Sequence, residues 1–481
     1  MNIDPILAIE NNYGLPTDTV DGYAYWTFFR LDLQELIQTN TGYGDAHVRP
    51  SFSKWRQTKA RLNMIKNALL FGNRLRKKCD ILILNDERRI WTGSYYECIF
   101  TDQIAAMYPN SIVLERPYLQ NHFRPVVTKR LIYTDYIEIK AMLYYYWCKR
   151  FTSSKMKNIR EEIYSRIKRP IEEICNAYHF NYNIFGILDK MLCGYCVYKI
   201  KREEFSKVLD KYRPKLVLEV CGYNWDCMIV NELTAERNIP SIELQHGATG
   251  ADHIAYNYSK GVSIKQFPQY FFGFSDFWIK SARYPIPEAN LKEIGFPYLE
   301  RKAAIAKARI VKGKVKKIIF ISQGPIGAVL SQIAVDLEKL IDKEKYEIIY
   351  KLHPGEFAEW KGRYKELAAS DIFVADNNHY DLYELFAEST FQVGGYGSTA
   401  TFEGLYFGLK TFVLRDKAMP ELKLLCERKM ARFFDTSEEL YRLIDQIDQN
   451  ENIQNENISF WKKNALENMK REIDNILELT S

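Results

Sequence analysis

Apolar residues in this chain gather into short unbroken runs. Each run is closed by polar residues or glycine and followed by a stretch with helical spacing. CDILILND (79–86), SIVLERP (111–117), RLIYTDYIEI (130–139), PKLVLEVCGYN (214–224) and SIELQHG (241–247) are such runs in the first half. Unbroken apolar runs are how strands buried on both faces read. A long helical stretch occupies about 155–210, and WDCMIVNELTAERNIP reads as a crossover helix. YFFGFSDFWIKSARY (270–284) runs from strand into helix, with Ser275 or Asp276 as N-cap.

The series restarts after the basic stretch KAAIAKARIVKGKVKK (302–317), which reads as a linker. KKIIFISQGP (316–325), YEIIYKLHP (346–354), DIFVAD (371–376), FQVGGYG (391–397) and KTFVLRD (410–416) are strands, with a helix over DLYELFAEST (381–390). Strands alternating with helices give parallel sheets covered by helices. The expected fold class is α/β, with two Rossmann-like doubly wound domains. The first spans 1–305, with a helical insertion at about 140–210. The second spans 310–455, and a C-terminal helix follows at 456–481.

Composition narrows the function classes. Hydrophobic residues make up 47% and charged residues 27% of 481 positions, a globular balance. A net charge of +6 suits an anionic substrate or a membrane surface, and is too small to argue for nucleic acid. Nine cysteines in a chain this long are no disulfide scaffold. Cys193 and Cys196 form a lone CxxC in an apolar helix and read as structural thiols, which suits a reducing cytoplasm. MNIDPILAIENNYG lacks the basic region and apolar core of a signal peptide, and no apolar stretch is long enough to span a bilayer. The expected location is cytoplasmic. Peripheral contact with the inner face of the membrane is expected from the basic and aromatic residues of 140–170, among them Lys149, Arg150, Lys155, Lys157, Arg160, Arg166, Lys168 and Arg169.

Ligands in doubly wound sheets bind beyond the carboxyl ends of strands, so the residues after each run carry the candidate chemistry. Gly395, Gly397, Ser398 and Thr399 follow a buried run and open a helix, whose N-terminal N–H groups hold phosphate. Glu403 lies one turn further, placed to accept from ribose hydroxyls. Lys351, His353 and Pro354 end a second run, with His353 set to contact a phosphate or leaving nucleotide. Gln323 and Gly324 lie in the first turn of the second domain. Without full GxGxxG spacing, no dinucleotide cofactor is expected. In the first half, Gln245, His246 and Gly247 end a run and present an imidazole able to take a proton from an acceptor hydroxyl. His253, Asp86 and Glu87 are further candidates for acceptor binding. No Asp-x-Asp occurs, so no metal is expected.

Taken in order, Gln245-His246-Gly247, His353-Pro354, and the Gly395-Tyr396-Gly397-Ser398 loop with Glu403 resemble motifs of the GT-B glycosyltransferases of bacterial capsule and wall-polymer synthesis. The HP pair and serine loop are similar to those of bacterial sialyltransferases, polysialyltransferases and Kdo transferases, where they contact the CMP part of the donor. The series is also similar to that of wall teichoic acid polymerases using CDP-glycerol. The resemblance covers about residues 215–415. It implies a GT-B fold with its two domains facing across a cleft. It also implies a metal-independent glycosyltransferase that moves sugar from a nucleotide donor, CMP-sugar first, to a surface glycan or lipid-linked glycan. In that reaction His246 is the general base. A UDP-sugar or CDP-polyol transferase, an enzyme like UDP-GlcNAc 2-epimerase, and a non-catalytic glycan-binding scaffold are the other readings.

Overall fold

The structure, a computed structural model, describes residues 1–41, 54–71, 78–86, 89–118, 121–150, 153–310, 313–377, 379–416, 418–449 and 459–479. The described chain divides into two compact units. One comprises residues 1–273, 279–293 and 467–481, and the other residues 274–278 and 294–466.

In the first unit the strands are β1 (Ile81–Leu84), the hairpin β2 (Ile90–Trp91) and β3 (Tyr96–Glu97), β4 (Ile112–Glu115), β5 (Leu131–Tyr133), β6 (Leu216–Val220), β7 (Ser241–Leu244), β8 (Tyr270–Gly273) and β9 (Leu291–Glu293). Apart from the hairpin they form one parallel sheet, ordered β5-β4-β1-β6-β7-β8-β9. Every residue of β1, β4, β6 and β7 is buried, as unbroken apolar runs require when helices cover both faces. The second unit holds β10 (Lys316–Ile321), β11 (Tyr346–Lys351), β12 (Phe373–Ala375), β13 (Ser389–Gly394), β14 (Lys410–Leu414) and β15 (Ala431–Phe434). They form a parallel sheet ordered β12-β11-β10-β13-β14-β15.

In both sheets the first strand lies next to the fourth, and the second and third lie on its other side. This is the Rossmann order, with a switch point between β1 and β6 in one unit and between β10 and β13 in the other. The expected α/β class with two Rossmann-like sheets is what the chain forms.

Several local expectations are corrected. Only Leu131–Tyr133 of 130–139 is strand, and the helix Asp135–Arg150 begins two residues later with acids in its first turn. The stretch 155–210 is two helices, Ser154–Ala177 and Ile184–Tyr212, each capped by the side chain before it, Ser153 and Asn183. The basic stretch expected as a linker begins inside the helix Pro297–Arg309. The final helix starts at Ala465. Cys193 and Cys196 lie within Ile184–Tyr212 as free thiols, and burial pushes both up.

Three of the basic residues expected to face lipid form ion pairs with acids. Lys155 pairs with Asp21, Arg160 with Asp189, and Arg166 with Asp18 and Glu162.

Candidate functional site

The second unit brings three sequence-distant segments to adjacent strand ends. β11, β10 and β13 are neighbours, and their carboxyl ends carry Lys351 with His353, Gln323 with Gly324, and Gly395 through Thr399.

The loop after β13 is shaped by contact. A Cβ on Gly395 would lie 2.9 Å from Leu414 Cβ and 3.4 Å from Ile326 Cδ1, and one on Gly397 would lie 2.9 Å from Met419 Cγ. Both positions therefore favour glycine for packing alone. Ser398 is the N-cap of the helix Thr399–Tyr406, and its hydroxyl accepts from Ala400 N at 3.2 Å. The cap fixes where the remaining N–H groups of that helix end lie. Glu403 is buried beside Tyr383 and Thr399, and burial raises its carboxyl to about 7.

His353 caps the short turn Pro354–Glu356. Its Nδ1 accepts from Gly355 N at 3.1 Å, and its own backbone N–H donates to Glu356 Oε2 at 2.8 Å. With Nδ1 accepting, the neutral ring carries its proton on Nε2, the tautomer that can donate to an anion. Lys351 ends β11, half-buried, with Nζ 4.9 Å over the Phe357 ring and 3.4 Å from the Leu352 carbonyl. Burial pulls its ammonium down to about 8, against the attraction of Asp376 and Asp381. No carboxylate lies within salt-bridge reach of Lys351 among the described residues.

Gln323 leaves its Oε1 buried without a hydrogen-bond donor among the described residues, and the Gly324 carbonyl accepts from Arg363 at 2.8 Å. Sequence reasoning gave no role to Glu356. Its buried carboxylate accepts from His353 N, from Ser322 Oγ at 3.1 Å and from the Tyr364 hydroxyl, tying the turn after β11 to the loop after β10. Its place three residues after His353, as in a capping box, was the available signal.

In the first unit, His246 follows β7. Its side chain is 11% exposed, with Nε2 3.1 Å from the Tyr223 hydroxyl and Nδ1 3.9 Å from Glu243 Oε1. Glu243 lies within β7, fully buried, and Tyr256 donates to its Oε1 at 2.7 Å. Burial raises Glu243 to about 7. Beside it in register on β6 is Glu219, which burial, reinforced by the Glu243 charge, holds well above the ordinary carboxylate range. A Cβ at Gly222 would collide with both carboxyls. The Tyr223 hydroxyl is thus within hydrogen-bond reach of Nε2, while the Glu243 carboxyl lies beside the ring beyond hydrogen-bond distance of Nδ1. Neither Glu243 nor Tyr223 was singled out from sequence.

Other expected residues take structural positions. Gln245 donates to the Gly247 carbonyl at 2.8 Å, closing the turn that presents His246. His253 precedes the turn Ile254–Tyr256, its ring 5.2 Å from Tyr223 and 4.9 Å from Tyr256, and burial pulls it down to about 4, so it stays neutral. Asp86 is buried at the end of β1. Glu87 lies outside the described residues.

Around the ends of β1, β4 and β5 sits a buried network that the sequence did not announce. Glu115 accepts from Asn85 (2.8 Å), Arg89 (2.7 Å) and His122 (3.1 Å), Arg89 reaches Asp102 (2.9 Å), and His122 reaches Asp135 (2.7 Å). Burial works against protonation of His122, yet Asp135 and Glu115 hold its pKa raised. A cavity of about 220 Å³ opens beside the turn after β6, walled by Phe28, Trp225, Tyr258 and Phe267 and bordered by Gly222 and Tyr223.

No protein-family model matches this chain, and no curated protein matches it. Among solved structures it is similar to a UDP-GlcNAc 2-epimerase from Methanocaldococcus jannaschii. That match has 13% identity and a TM-score of 0.47, and covers 83% of this chain and 99% of that one. It is similar to a UDP-N-acetylglucosamine 2-epimerase from Rickettsia bellii at 11% identity and a TM-score of 0.42, covering 84% and 96%. It is similar also to HepE from Anabaena, solved with UDP and glucose, at 12% identity and a TM-score of 0.38, covering 78% and 90%.

Proposed function

We propose that this chain is a nucleotide-sugar-dependent glycosyltransferase whose second unit holds the donor and whose first unit holds the acceptor and the general base. The observation that carries the reading is the gathering of Lys351 and His353, Gln323 and Gly324, and the Gly395–Thr399 loop at three adjacent strand ends astride the switch point of the second sheet. Phosphate placed there meets the N–H groups opening Thr399–Tyr406, the Lys351 ammonium and the His353 Nε2–H. These donors are held by the Ser398 cap and by Glu356 before any ligand arrives. They cost little reorganisation as charge builds on the departing phosphate. Rearrangement of the Glu403 carboxyl toward the ribose hydroxyls would complete the nucleotide contacts.

In the first unit, His246 takes the proton of the acceptor hydroxyl as its oxygen bonds the sugar carbon, the sugar–phosphate C–O bond breaks and the nucleotide leaves with the phosphate oxygen. Glu243 steadies the resulting imidazolium, and Tyr223 occupies the place from which the acceptor hydroxyl approaches. The acceptor is a surface glycan or lipid-linked glycan. The donor is assigned first to the CMP-sugars, with UDP-sugars and CDP-polyols as the alternatives.

Calorimetric titration of CMP, CDP, UMP and UDP into the protein without added metal tests this. Tighter binding of the cytidine nucleotides supports the donor assignment, and preference for UDP replaces it with a UDP-sugar. Turnover of sugar nucleotide with no acceptor present would identify an epimerase. No binding of any of the four would remove the enzymatic reading.

A further inference from the structure

The helix Lys54–Phe71 (KWRQTKARLNMIKNALLF) turns its apolar residues outward. Among its described side chains Met64 and Asn67 are the buried ones, and it packs on the helix Asp135–Arg150. Trp55, Leu62 and Leu69, by contrast, are 72%, 62% and 67% exposed, and Ile65 and Leu70 are exposed with them. Positions 55, 62 and 69 recur every two turns, so they form one stripe along the helix. Lys59 and Lys66 lie one turn after Trp55 and Leu62 on the same stripe, and Lys59 Nζ stands 5.2 Å over the Trp55 ring. The helix sequence holds Lys54, Arg56, Lys59, Arg61 and Lys66 and no Asp or Glu.

The partner helix continues the character of this face. Leu143, Tyr146 and Trp147 are exposed on it, together with Lys149 and Arg150. The spacing 143, 146, 147 and 150 places them on one side, opposite the buried Ile137, Ala141 and Cys148.

Large apolar side chains held outward from a folded helix mark a binding surface. The charge decides what binds. A second copy of the chain would set these cations against their own like, so self-association through this face is opposed. A surface of anionic lipid headgroups answers both features. Trp and Leu enter the acyl boundary, while Lys and Arg extend their stems to the phosphates. We propose that the outward face of Lys54–Phe71, extended by that of Asp135–Arg150, docks this protein on an anionic lipid bilayer. The proposal stands independently of the reaction assigned above.

Co-sedimentation of the full chain with vesicles containing phosphatidylglycerol, compared with vesicles of phosphatidylcholine alone, tests it. Binding is expected to the anionic vesicles and to weaken with added salt. The triple variant Trp55→Ser, Leu62→Ser, Leu69→Ser and the pair Lys59→Glu, Lys66→Glu should each lower the bound fraction by about tenfold or more. Because all five side chains are exposed, both variants should keep the wild-type far-ultraviolet dichroism and nucleotide affinity. Absence of wild-type binding to anionic vesicles overturns the proposal, as does undiminished binding by the folded variants. A wild-type dimer in light scattering that the triple variant dissolves would also overturn it, by assigning the face to a second copy.

Discussion

At the ends of β1, β4 and β5, the first unit stores charge in pairs. Arg89 lies between Glu115 and Asp102, and His122 between Glu115 and Asp135, all buried. At the ends of β10, β11 and β13, the second unit presents backbone N–H groups, a capping serine, a cation with no carboxylate in reach among the described residues, and glycines fitted against Leu414 and Met419. Both sheets have the same strand order, so topology did not make this difference. Paired charges neutralise one another, whereas donors left without an anion are open to one. A switch point supplies a place, and the residues put there decide whether its charges are paired among themselves or left open to an anion.

The largest expected effect lies on the paired side. Arg89→Met leaves Glu115 and Asp102 without their shared cation and should cost about 3–5 kcal/mol of stability, read from urea midpoints. A loss below about 1 kcal/mol would mean the network is solvated and the contrast is false.

Glu243→Gln comes next. The folded carboxyl titrates near 7, above its unfolded value of 4.5. Between these values the folded state keeps a proton that the unfolded chain releases, so stability falls as pH rises and the penalty is complete above 7. The variant should gain on wild type by at most about 3 kcal/mol at high pH and by almost nothing at low pH. Equal shifts at both pH values would show that Glu243 does not titrate there.

His246→Ala should lower turnover by about 100-fold while nucleotide affinity stays within about twofold, since the two groups sit in separate units. Unchanged turnover would leave His246 as a turn residue.

Lys351→Met should weaken nucleotide binding about 10- to 100-fold by calorimetry. In wild type the affinity should decline as pH rises through about 8, where the ammonium loses its proton, and the variant should lose this slope. A slope that persists in the variant assigns it to another group.

Ser398→Ala is the smallest, about 1 kcal/mol from the lost cap, with a correspondingly small change in affinity.

The sequence by itself determined the interior. β1, β6, β7, β10, β11, β13 and β14 were legible because a strand covered on both faces must be apolar throughout. The edge strands β9 and β15 were not, since an edge needs less burial and Leu291–Glu293 has no apolar run to show. The residues after strands were legible as candidates for the same reason: glycine, proline and histidine stand out where apolar runs stop. Only the tertiary structure decided what those candidates touch. Glu243 sits inside an apolar run, and its meaning depends on Tyr256 and Glu219 arriving from other segments. Glu356 became a hub through Ser322 and Tyr364, and helix Lys54–Phe71 became a surface when its neighbours covered Met64 and left Trp55 bare. Burial of an apolar run is a local demand that composition expresses directly. Partnership between charges, and exposure of apolar faces, are relations between distant segments, and only the packed chain fixes them.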